Sequence, residues 1–298
     1  MHYRPFVSVI IPVHNDSYGI QQTLRSLFKQ HYPQKQYEII VVDNNSNDDT
    51  ISMIQKTVSE FEGNVIFEIE EMQGSYAARN KGFSVSRGEI IAFIDSDMTV
   101  DSDWIYNGVQ CFTNKKIDYV GCNIEIYSSK RIPSLWEKYH IALGFPIKDY
   151  MKIDGYAPTA CLFLARRVIE KVGNFESRLL SGGDFEFGNR TRDHGFKMYF
   201  DQDNIMYHPA RDSFSLLFQK QKRVTIGQIR LRRLFPERFP YNRFKDVAIC
   251  CIHLLPVASS TVIFKLSRSM VDFLPLFGIF YALRLYTCWF KFANKCFF

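Results

Sequence analysis

Four short apolar runs, separated by amphipathic helical patterns, constrain the fold of this chain more than any other feature. Helical spacing of apolar side chains follows the first run, at Ile20, Leu24, Leu27 and Phe28. Apolar strands that alternate with helices predict an α/β fold with a mainly parallel sheet flanked by helices. Ligands of such sheets bind at the carboxyl ends of the strands. The predicted strands cover residues 7–11, 38–42, 65–69 and 89–94.

Polar side chains collect where these strands end, after Pro12, at Asp43 and at Asp95. The segment Asp95-Ser96-Asp97 places two carboxylates directly after a buried strand. Carboxylate oxygens suit Mg²⁺ or Mn²⁺, which keep open positions for phosphate oxygens. The sequence therefore indicates a divalent metal beside a diphosphate. Taken alone, an Asp-x-Asp segment is common and is more often a capped strand-to-helix turn than a metal site.

Beyond residue 100 the pattern loosens, and the predicted elements are less regular. They are a helix over 101–115, a strand over 119–126, a helix over 133–143 and a helix over 184–194. The last helix follows Gly182 and Gly183, and a loop precedes it around 154–158.

Four motifs in order carry a resemblance to a known family. They are Val9-Ile-Ile-Pro-Val-His-Asn15, the stretch from Val41 to Thr50, Ala78-Arg-Asn-Lys-Gly82 and Phe93-Ile-Asp-Ser-Asp97. Together they resemble the family 2 glycosyltransferases with the GT-A fold, over residues 6 to about 211. The resemblance implies a catalytic domain at 1–211, with a nucleotide-sugar half at about 1–100 and an acceptor half at about 101–211. Residues 212–298 are expected to form a separate basic and apolar helical region that associates with a membrane.

The resemblance also implies which residues bind the donor, a nucleotide-diphospho-sugar with UDP favoured. Asp43 matches the acid that contacts base and ribose. Its loop reads Asp43-Asn-Asn-Ser instead of the commoner Asp-Asp-Gly-Ser, which leaves the preferred base open. Asp97 and Asp95 match the motif for Mn²⁺ or Mg²⁺, and His208 is a weaker third candidate. The predicted donor-binding residues are Pro12, His14, Asn15, Asp43, Asn45, Arg79, Asn80, Asp95 and Ser96.

Asp184 is the implied catalytic base of an inverting transfer. The stretch Gly182-Gly-Asp-Phe-Glu186 resembles the family's Gly-Glu-Asp segment, with Gly183 in place of the usual Glu. A carboxylate in this role takes the acceptor's proton while an oxocarbenium-like transition state forms. Asp184 also suits a helix N-terminus, and the two roles are compatible. The acceptor or diphosphate side is assigned, with less support, to Gly155, Thr159, Gly183 and Arg211.

The charge distribution separates the tail from the rest of the chain. Residues 211–298 carry 15 Lys and Arg against 4 Asp and Glu, whereas residues 1–210 carry 22 against 27. Two apolar stretches, 247–264 and 270–290, are each near spanning length. Asp272 and Arg284 make the second costly at a bilayer centre, which favours peripheral or monotopic attachment at a cytosolic membrane face. Two spans, or a helical cap or dimer interface in solution, are the alternatives.

The predicted function is transfer of a sugar from a nucleotide diphosphate donor to a hydroxyl of a glycan or lipid-linked acceptor. A sugar-phosphate nucleotidyltransferase is disfavoured, because no Gly-rich basic loop follows the first strand. A non-catalytic membrane-bound scaffold is the second alternative. The seven cysteines show no metal-ligand spacing and fit a reducing compartment. No nucleic-acid motif accompanies the basic residues of 211–298, so nucleic acid is not an expected partner. A homo-oligomer is left open.

Overall fold

The computed structural model describes residues 4–240 and 270–293. Over these residues, eight strands form one mixed sheet in the order β3-β2-β1-β4-β7-β6-β8-β5. Helices flank it, as predicted for this fold class. The strands are β1 (Val7–Val13), β2 (Tyr37–Asp43), β3 (Val65–Ile69), β4 (Ile90–Ile94), β5 (Thr99–Val100), β6 (Tyr119–Tyr127), β7 (Cys161–Ala165) and β8 (Met198–Pro209).

Ten α-helices are present in the described residues, together with a 3₁₀ turn at Gln34–Gln36 and a π turn at Tyr150–Asp154. Asp16 caps α1 by accepting the Gly19 N–H. The helices are α1 (Ser17–Leu27), α2 (Thr50–Val58), α3 (Ser75–Val85), α4 (Trp104–Lys115), α5 (Leu135–Leu143), α6 (Ile147–Asp149), α7 (Arg166–Val172), α8 (Gly183–Asp193), α9 (Phe214–Leu234) and α10 (Met270–Ala293).

The parallel half of the sheet comprises β3, β2, β1 and β4. All residues of β1, β2 and β4 are buried, as expected for strands covered on both faces. The register aligns Val13 with Asp43 and Asp43 with Ile69. The sequence suggested that β1 ends before Pro12, but the strand continues through Pro12 to Val13. A missing proline N–H removes one ladder bond without ending a strand.

The other half of the sheet is antiparallel where β4 meets β7 and where β7 meets β6. Sequence reasoning missed β7, the helix α7 that follows it and the full length of β8. The segment Cys161–Ala165 is a short buried run, and periodicity does not separate such a strand from a helix. The antiparallel pair β5 and β8 matters for the site, because it aligns Thr99 with Tyr207.

The chain separates into two compact units. The first contains the residues up to Glu125 and Phe145–His208, and the second contains Ile126–Gly144 and the chain from Pro209 onward. Helices α5, α9 and α10 build the second unit around a small apolar core. The domain boundary expected at residue 211 stays a prediction. The buried members of this core are Tyr139, Leu217, Leu276, Ile279, Phe280 and Leu283.

Helix α10 holds the only stretch of the described residues, Phe273–Lys291, that has the length and apolar composition for a membrane span. Its mean hydropathy is 1.4, and 22% of the stretch is buried in the protein. The large side chains of Leu274, Leu285 and Trp289 are exposed. The first predicted apolar stretch, 247–264, lies outside the described residues.

Candidate active site

Asp43 ends β2 at the polar edge of the parallel sheet and is 1% exposed. Its Oδ2 accepts a hydrogen bond of 3.0 Å from the Ser46 N–H. Its Oδ1 is buried and has no hydrogen-bond partner within the described residues. An unsatisfied buried carboxylate oxygen costs free energy unless a ligand donates to it. Asp43 therefore has one oxygen that can still accept a hydrogen bond, and its contact with the donor stays a prediction.

The loop after β1 meets the loop after β2 through side-chain contacts. His14 Nδ1 lies 2.7 Å from the Asn44 carbonyl oxygen, so Nδ1 carries the proton and donates. Asn15 Oδ1 accepts from the Asn47 N–H, and the Asn15 N–H donates to Ser46 Oγ. Asn45 donates to the Glu71 carbonyl. His14, Asn15 and Asn45 are all exposed and remain predicted donor contacts.

Asp95 directly follows β4, and Ser96 and Asp97 form the turn into β5. Because β5 pairs with β8 antiparallel, the residue after Tyr207 in β8 lies beside this turn. That residue is His208, whose Nε2 is 3.5 Å from Asp97 Oδ2. Ser96 donates to Asp16 Oδ2, which fixes the turn to the cap of α1. The structure thus brings His208 to Asp97, although 111 positions of chain separate them.

Arg79 and Asn80 lie on α3, whose N-terminus begins after Gly74. Arg79 is 3% exposed and pairs with Asp95 through Nη2, whereas its Nε is buried without a partner in the described chain. Asn80 bonds through both amide atoms to the backbone of Phe175. Asn80 therefore braces the loop that leads to α8, and its contact with a donor stays a prediction.

Asp184 lies in the first turn of α8 and is partly buried. The Tyr76 hydroxyl donates to Asp184 Oδ1 over 3.2 Å and accepts the Asp184 N–H, also over 3.2 Å. The Phe185 N–H donates to the same Oδ1 over 2.9 Å. These contacts leave Oδ2 as the oxygen of Asp184 that is available to a ligand.

Burial raises the pKa of Asp184 above its usual 3.8. The Phe185 N–H, the Arg79 charge and the Tyr76 hydroxyl act in the opposite direction, because each favours the carboxylate. A carboxylate with a raised pKa is a stronger base than an exposed aspartate. Arg79 pairs with Asp95 and also acts on Asp184, so one cation on α3 links the two acids.

The residues assigned to the acceptor or diphosphate side are dispersed. Gly155 has a φ of +69°, which favours glycine, and Thr159 is buried. Gly183 opens α8 immediately before Asp184. Arg211 belongs to the second unit, where its N–H donates to Nδ1 of the buried His140 over 3.0 Å. All four assignments stay predictions.

Two of the three predicted metal ligands are in contact, namely Asp97 and His208. The third, Asp95, uses an oxygen to bind Arg79. Among residues 4–240 and 270–293, no group of three His, Cys, Asp or Glu side chains forms a complete metal cage. A cation held by Asp97 and His208 would need further ligands from substrate and water, as is common for Mg²⁺.

The mixed sheet, with carboxylates where its parallel strands end, has the architecture of the GT-A class of nucleotide-sugar transferases. The sequence model for glycosyl transferase family 2 matches residues 8–173, more than half of the chain. The chain therefore belongs to glycosyltransferase family 2, as its motifs predicted, and it is a glycosyltransferase.

Relatives of known name agree with this family. The chain is 38% identical to glycosyltransferase AglE of Haloferax volcanii over 239 residues, which cover 78% of each protein. It is 29% identical to the beta-monoglucosyldiacylglycerol synthase of Trichormus variabilis over 140 residues. That match covers 46% of this chain and 30% of the synthase.

Solved structures confirm the fold. The mannosyltransferase PcManGT from Pyrobaculum calidifontis, in complex with GDP-Man and Mn²⁺, superposes with a TM-score of 0.65 at 17% identity. The match covers 98% of this chain and 88% of PcManGT. Residues 1–349 of S. aureus TarS, in complex with UDP-GlcNAc, superpose with a TM-score of 0.58 at 16% identity, covering 97% and 92% of the two chains.

Two residues of the site were missed by sequence reasoning. Asn44 donates to the Glu70 and Met72 carbonyls and accepts the Gly74 N–H, so it ties β2 to the start of α3. Tyr76 holds Asp184. A signal for Tyr76 was present, since it precedes Arg79 by three positions and thus shares its face of the helix.

Proposed function

We propose that this glycosyltransferase moves a sugar from a UDP-sugar to an acceptor hydroxyl with inversion at the anomeric carbon, and that Asp184 is the base. The observation that carries the proposal is the position of Arg79. It pairs with Asp95 at the strand edge, and its charge acts on Asp184 in α8. The acid assigned to the donor side thus pairs with Arg79, and the acid assigned to the acceptor side is within electrostatic range of the same buried cation.

In this mechanism the acceptor oxygen attacks the anomeric carbon from the face opposite the diphosphate. Its O–H proton passes to Asp184 Oδ2, while the bond between the anomeric carbon and the diphosphate oxygen breaks. The bonding electron pair leaves with the diphosphate, so UDP is released. Burial makes Asp184 more basic than an exposed aspartate, which favours proton transfer in the transition state.

The unsatisfied Oδ1 of Asp43 supports a base with a ring N–H. Uracil carries such a donor at N3, and guanine carries one at N1, whereas adenine and cytosine carry ring acceptors there. A hydrogen bond to a charged, buried acceptor contributes about 1.5–3 kcal/mol. We favour uracil; among the structural relatives, TarS has been solved with UDP-GlcNAc and PcManGT with GDP-Man.

Asp97 and His208 fit a divalent cation, Mn²⁺ or Mg²⁺. Their Oδ2 and Nε2 atoms are 3.5 Å apart, close to the separation of about 3 Å between adjacent ligands at the usual metal distance of about 2.1 Å. Asp97 is the direct ligand in this proposal. The cation would neutralise charge on the departing diphosphate. The mannosyltransferase PcManGT was solved with Mn²⁺.

We infer that the acceptor is a lipid or a lipid-linked glycan at the cytosolic face of a membrane. Helix α10 exposes Leu274, Leu285 and Trp289, and Lys222 and Arg230 are exposed on α9. Apolar side chains and basic groups together suit an anionic bilayer surface. One relative is named for synthesis of a glucosyldiacylglycerol, which is a lipid product.

A donor screen tests the reaction class. Purified full-length protein with detergent is given a panel of UDP- and GDP-sugars, with and without Mn²⁺, and nucleotide release is measured. We expect metal-dependent UDP release from one donor, its loss in Asp97→Ala, and no loss in Asp103→Ala, which belongs to an exposed Asp-x-Asp segment. In a parallel assay with UTP or GTP and a sugar 1-phosphate, release of pyrophosphate would instead indicate nucleotidyl transfer. Folded protein that neither binds nor cleaves any donor would indicate a scaffold.

Stereochemistry is a separate measurement. The anomeric configuration of the product, read by NMR, is expected to be opposite to that of the donor. Retention would exclude Asp184 as a base in a single displacement.

A further inference from the structure

We propose that Tyr76 is a positioning residue for the reaction, which orients the Asp184 carboxylate and occupies the space made available by Gly183. The inference rests on the proposed role of Asp184 as base. It adds a residue that the family motifs in the sequence did not identify. Tyr76 is 5% exposed and reaches Asp184 from a position 108 residues earlier in the chain.

The hydrogen bonds between the two residues are reciprocal. The hydroxyl of Tyr76 donates to Oδ1 of Asp184 and accepts the backbone N–H of the same residue. A hydroxyl that holds both the backbone and the carboxylate fixes the rotation of the side chain. Because Oδ1 also accepts the Phe185 N–H, that oxygen is fully engaged and Oδ2 is presented to the acceptor.

The Tyr76 ring is itself held in place. It stacks on Phe175 with ring centroids 5.9 Å apart, and the Arg79 guanidinium lies 5.6 Å from its centroid. Phe175 packs in turn on Phe187 of α8, 4.3 Å between centroids. The hydroxyl therefore cannot be displaced without moving the aromatic packing between α3 and α8.

Gly183 leaves the space that the Tyr76 ring occupies. A Cβ built at Gly183 would lie 2.7 Å from Cε2 and 2.9 Å from Cζ of Tyr76. Such distances are too short for any side chain, including the Glu that is usual at this motif position, unless the ring moves. The departure from the family pattern at Gly183 and the presence of Tyr76 are thus two parts of one arrangement, and Gly183 supports Asp184 indirectly.

Several other groups act on the Asp184 carboxylate. Arg79 on α3 favours its ionised form, and Tyr119, Tyr150, Tyr156 and Cys161 lie within electrostatic range from β6, the π turn, the following loop and β7. Loss of the Tyr76 hydroxyl alone removes a bond that favours the carboxylate, so the Asp184 pKa rises.

The test combines Tyr76→Phe with the matched control Tyr37→Phe, which removes another buried hydroxyl whose partner is the Leu27 carbonyl. Full-length protein labelled with ¹³C at aspartate carboxyls is titrated by NMR, and Asp184→Asn assigns the resonance. We expect an upward shift of the Asp184 pKa in Tyr76→Phe and none in Tyr37→Phe. An unchanged pKa in a folded Tyr76→Phe protein overturns the proposal. This readout needs no substrate, so it stands apart from failure of the proposed function.

Kinetics give the second readout. On the donor found by screening, Tyr76→Phe is expected to lose about tenfold in kcat with KM for the donor unchanged. The acid limb of its profile of kcat against pH is expected to move to higher pH, because an Asp184 with a higher pKa is protonated at a higher pH. A loss confined to KM would contradict a positioning role.

A third variant covers the case in which Tyr76→Phe unfolds. Gly183→Ala keeps every catalytic group and displaces the ring, so it is expected to lower kcat as Tyr76→Phe does. The loss caused by Gly183→Ala is expected to disappear in a Tyr76→Ala background, where no ring opposes the new methyl group. Equal losses in both backgrounds would show that the two residues are not coupled.

Discussion

Glu137 in the first turn of α5 and Asp184 in the first turn of α8 have different environments. In the second unit, Glu137 accepts the Ser134 N–H at Oε2 over 2.7 Å and the Ser128 hydroxyl at Oε1 over 2.8 Å. In the first unit, the bonds to Asp184 use Oδ1 and leave Oδ2 for a ligand.

The pKa values move in opposite directions for this reason. Burial by itself raises the pKa of Glu137, but bonds from Ser134 and Ser128 and the charge of Lys130 outweigh it and lower the pKa to about 2. For Asp184, burial outweighs the groups that favour the carboxylate, and the pKa rises. A carboxylate with both oxygens satisfied stabilises a helix start, whereas one with a spare oxygen and a raised pKa is suited to proton transfer.

The largest expected effect follows from Asp184→Asn, which keeps the shape of the side chain and removes its basicity. We expect kcat to fall about 10³-fold with donor binding retained. In the wild type, activity should fall as pH drops through the Asp184 pKa, which lies above 3.8. Pre-steady-state and steady-state assays over a range of pH measure the fall in kcat of the variant and the pH dependence of the wild type.

The control for that variant is Asp193→Asn, an exposed position on the same helix, which should keep full activity. Substantial turnover by Asp184→Asn would show that Asp184 is not the base and that it only stabilises the start of its helix, as Glu137 does.

Asp43 is a third carboxylate for this comparison, and like Asp184 it has one oxygen without a hydrogen bond from the described residues. The variant that tests it is Asp43→Asn. The amide weakens the acceptor for the nucleobase, and we expect donor affinity to fall about 50-fold. Isothermal titration with UDP measures the effect. Asp49→Asn, exposed beyond the same strand, should bind UDP normally. Equal affinity in Asp43→Asn would show that the nucleobase binds elsewhere.

The second unit is expected to respond to charge removal at its exposed basic face. Lys222→Gln with Arg230→Gln should weaken binding to vesicles of phosphatidylcholine and phosphatidylglycerol about 25-fold, since each cation contributes about 1 kcal/mol. Cosedimentation at low and high salt measures this. The same charge change in the first unit, Lys148→Gln with Lys171→Gln, should have little effect. Equal losses in the two pairs would remove the distinction between the units.

Glu137→Gln is expected to have the smallest effect, lowering Tm by about 2–4 °C at pH 7. The folded pKa of about 2 lies below the ordinary value of 4.5, so the stabilisation is complete above 4.5 and is lost as pH falls towards 2. The Tm difference between wild type and variant should therefore shrink on acidification. Catalysis at pH 7 should be unchanged, and Glu237→Gln, an exposed control, should leave Tm unaffected.

The parallel half of the sheet was predictable because its signals are local. Apolar runs of five or six residues gave β1 to β4 within two residues at each end, and Asp43 and Asp95 were placed by the ends of those strands. The family motifs lie in the same region and identified the enzyme class. Sequence reasoning was weaker for β7 and β8, whose pairing depends on distant partners.

The sequence by itself determined the α/β class, the family, the acidic strand edge and the basic, apolar character of the tail, because strand period, motif order and charge are properties of neighbouring residues. The tertiary structure alone decided that His208 lies beside Asp97 and that Tyr76 holds Asp184. It also decided which oxygen of each carboxylate is satisfied. These features depend on side chains about 110 residues apart, and only strand register and helix packing bring such groups within hydrogen-bond distance.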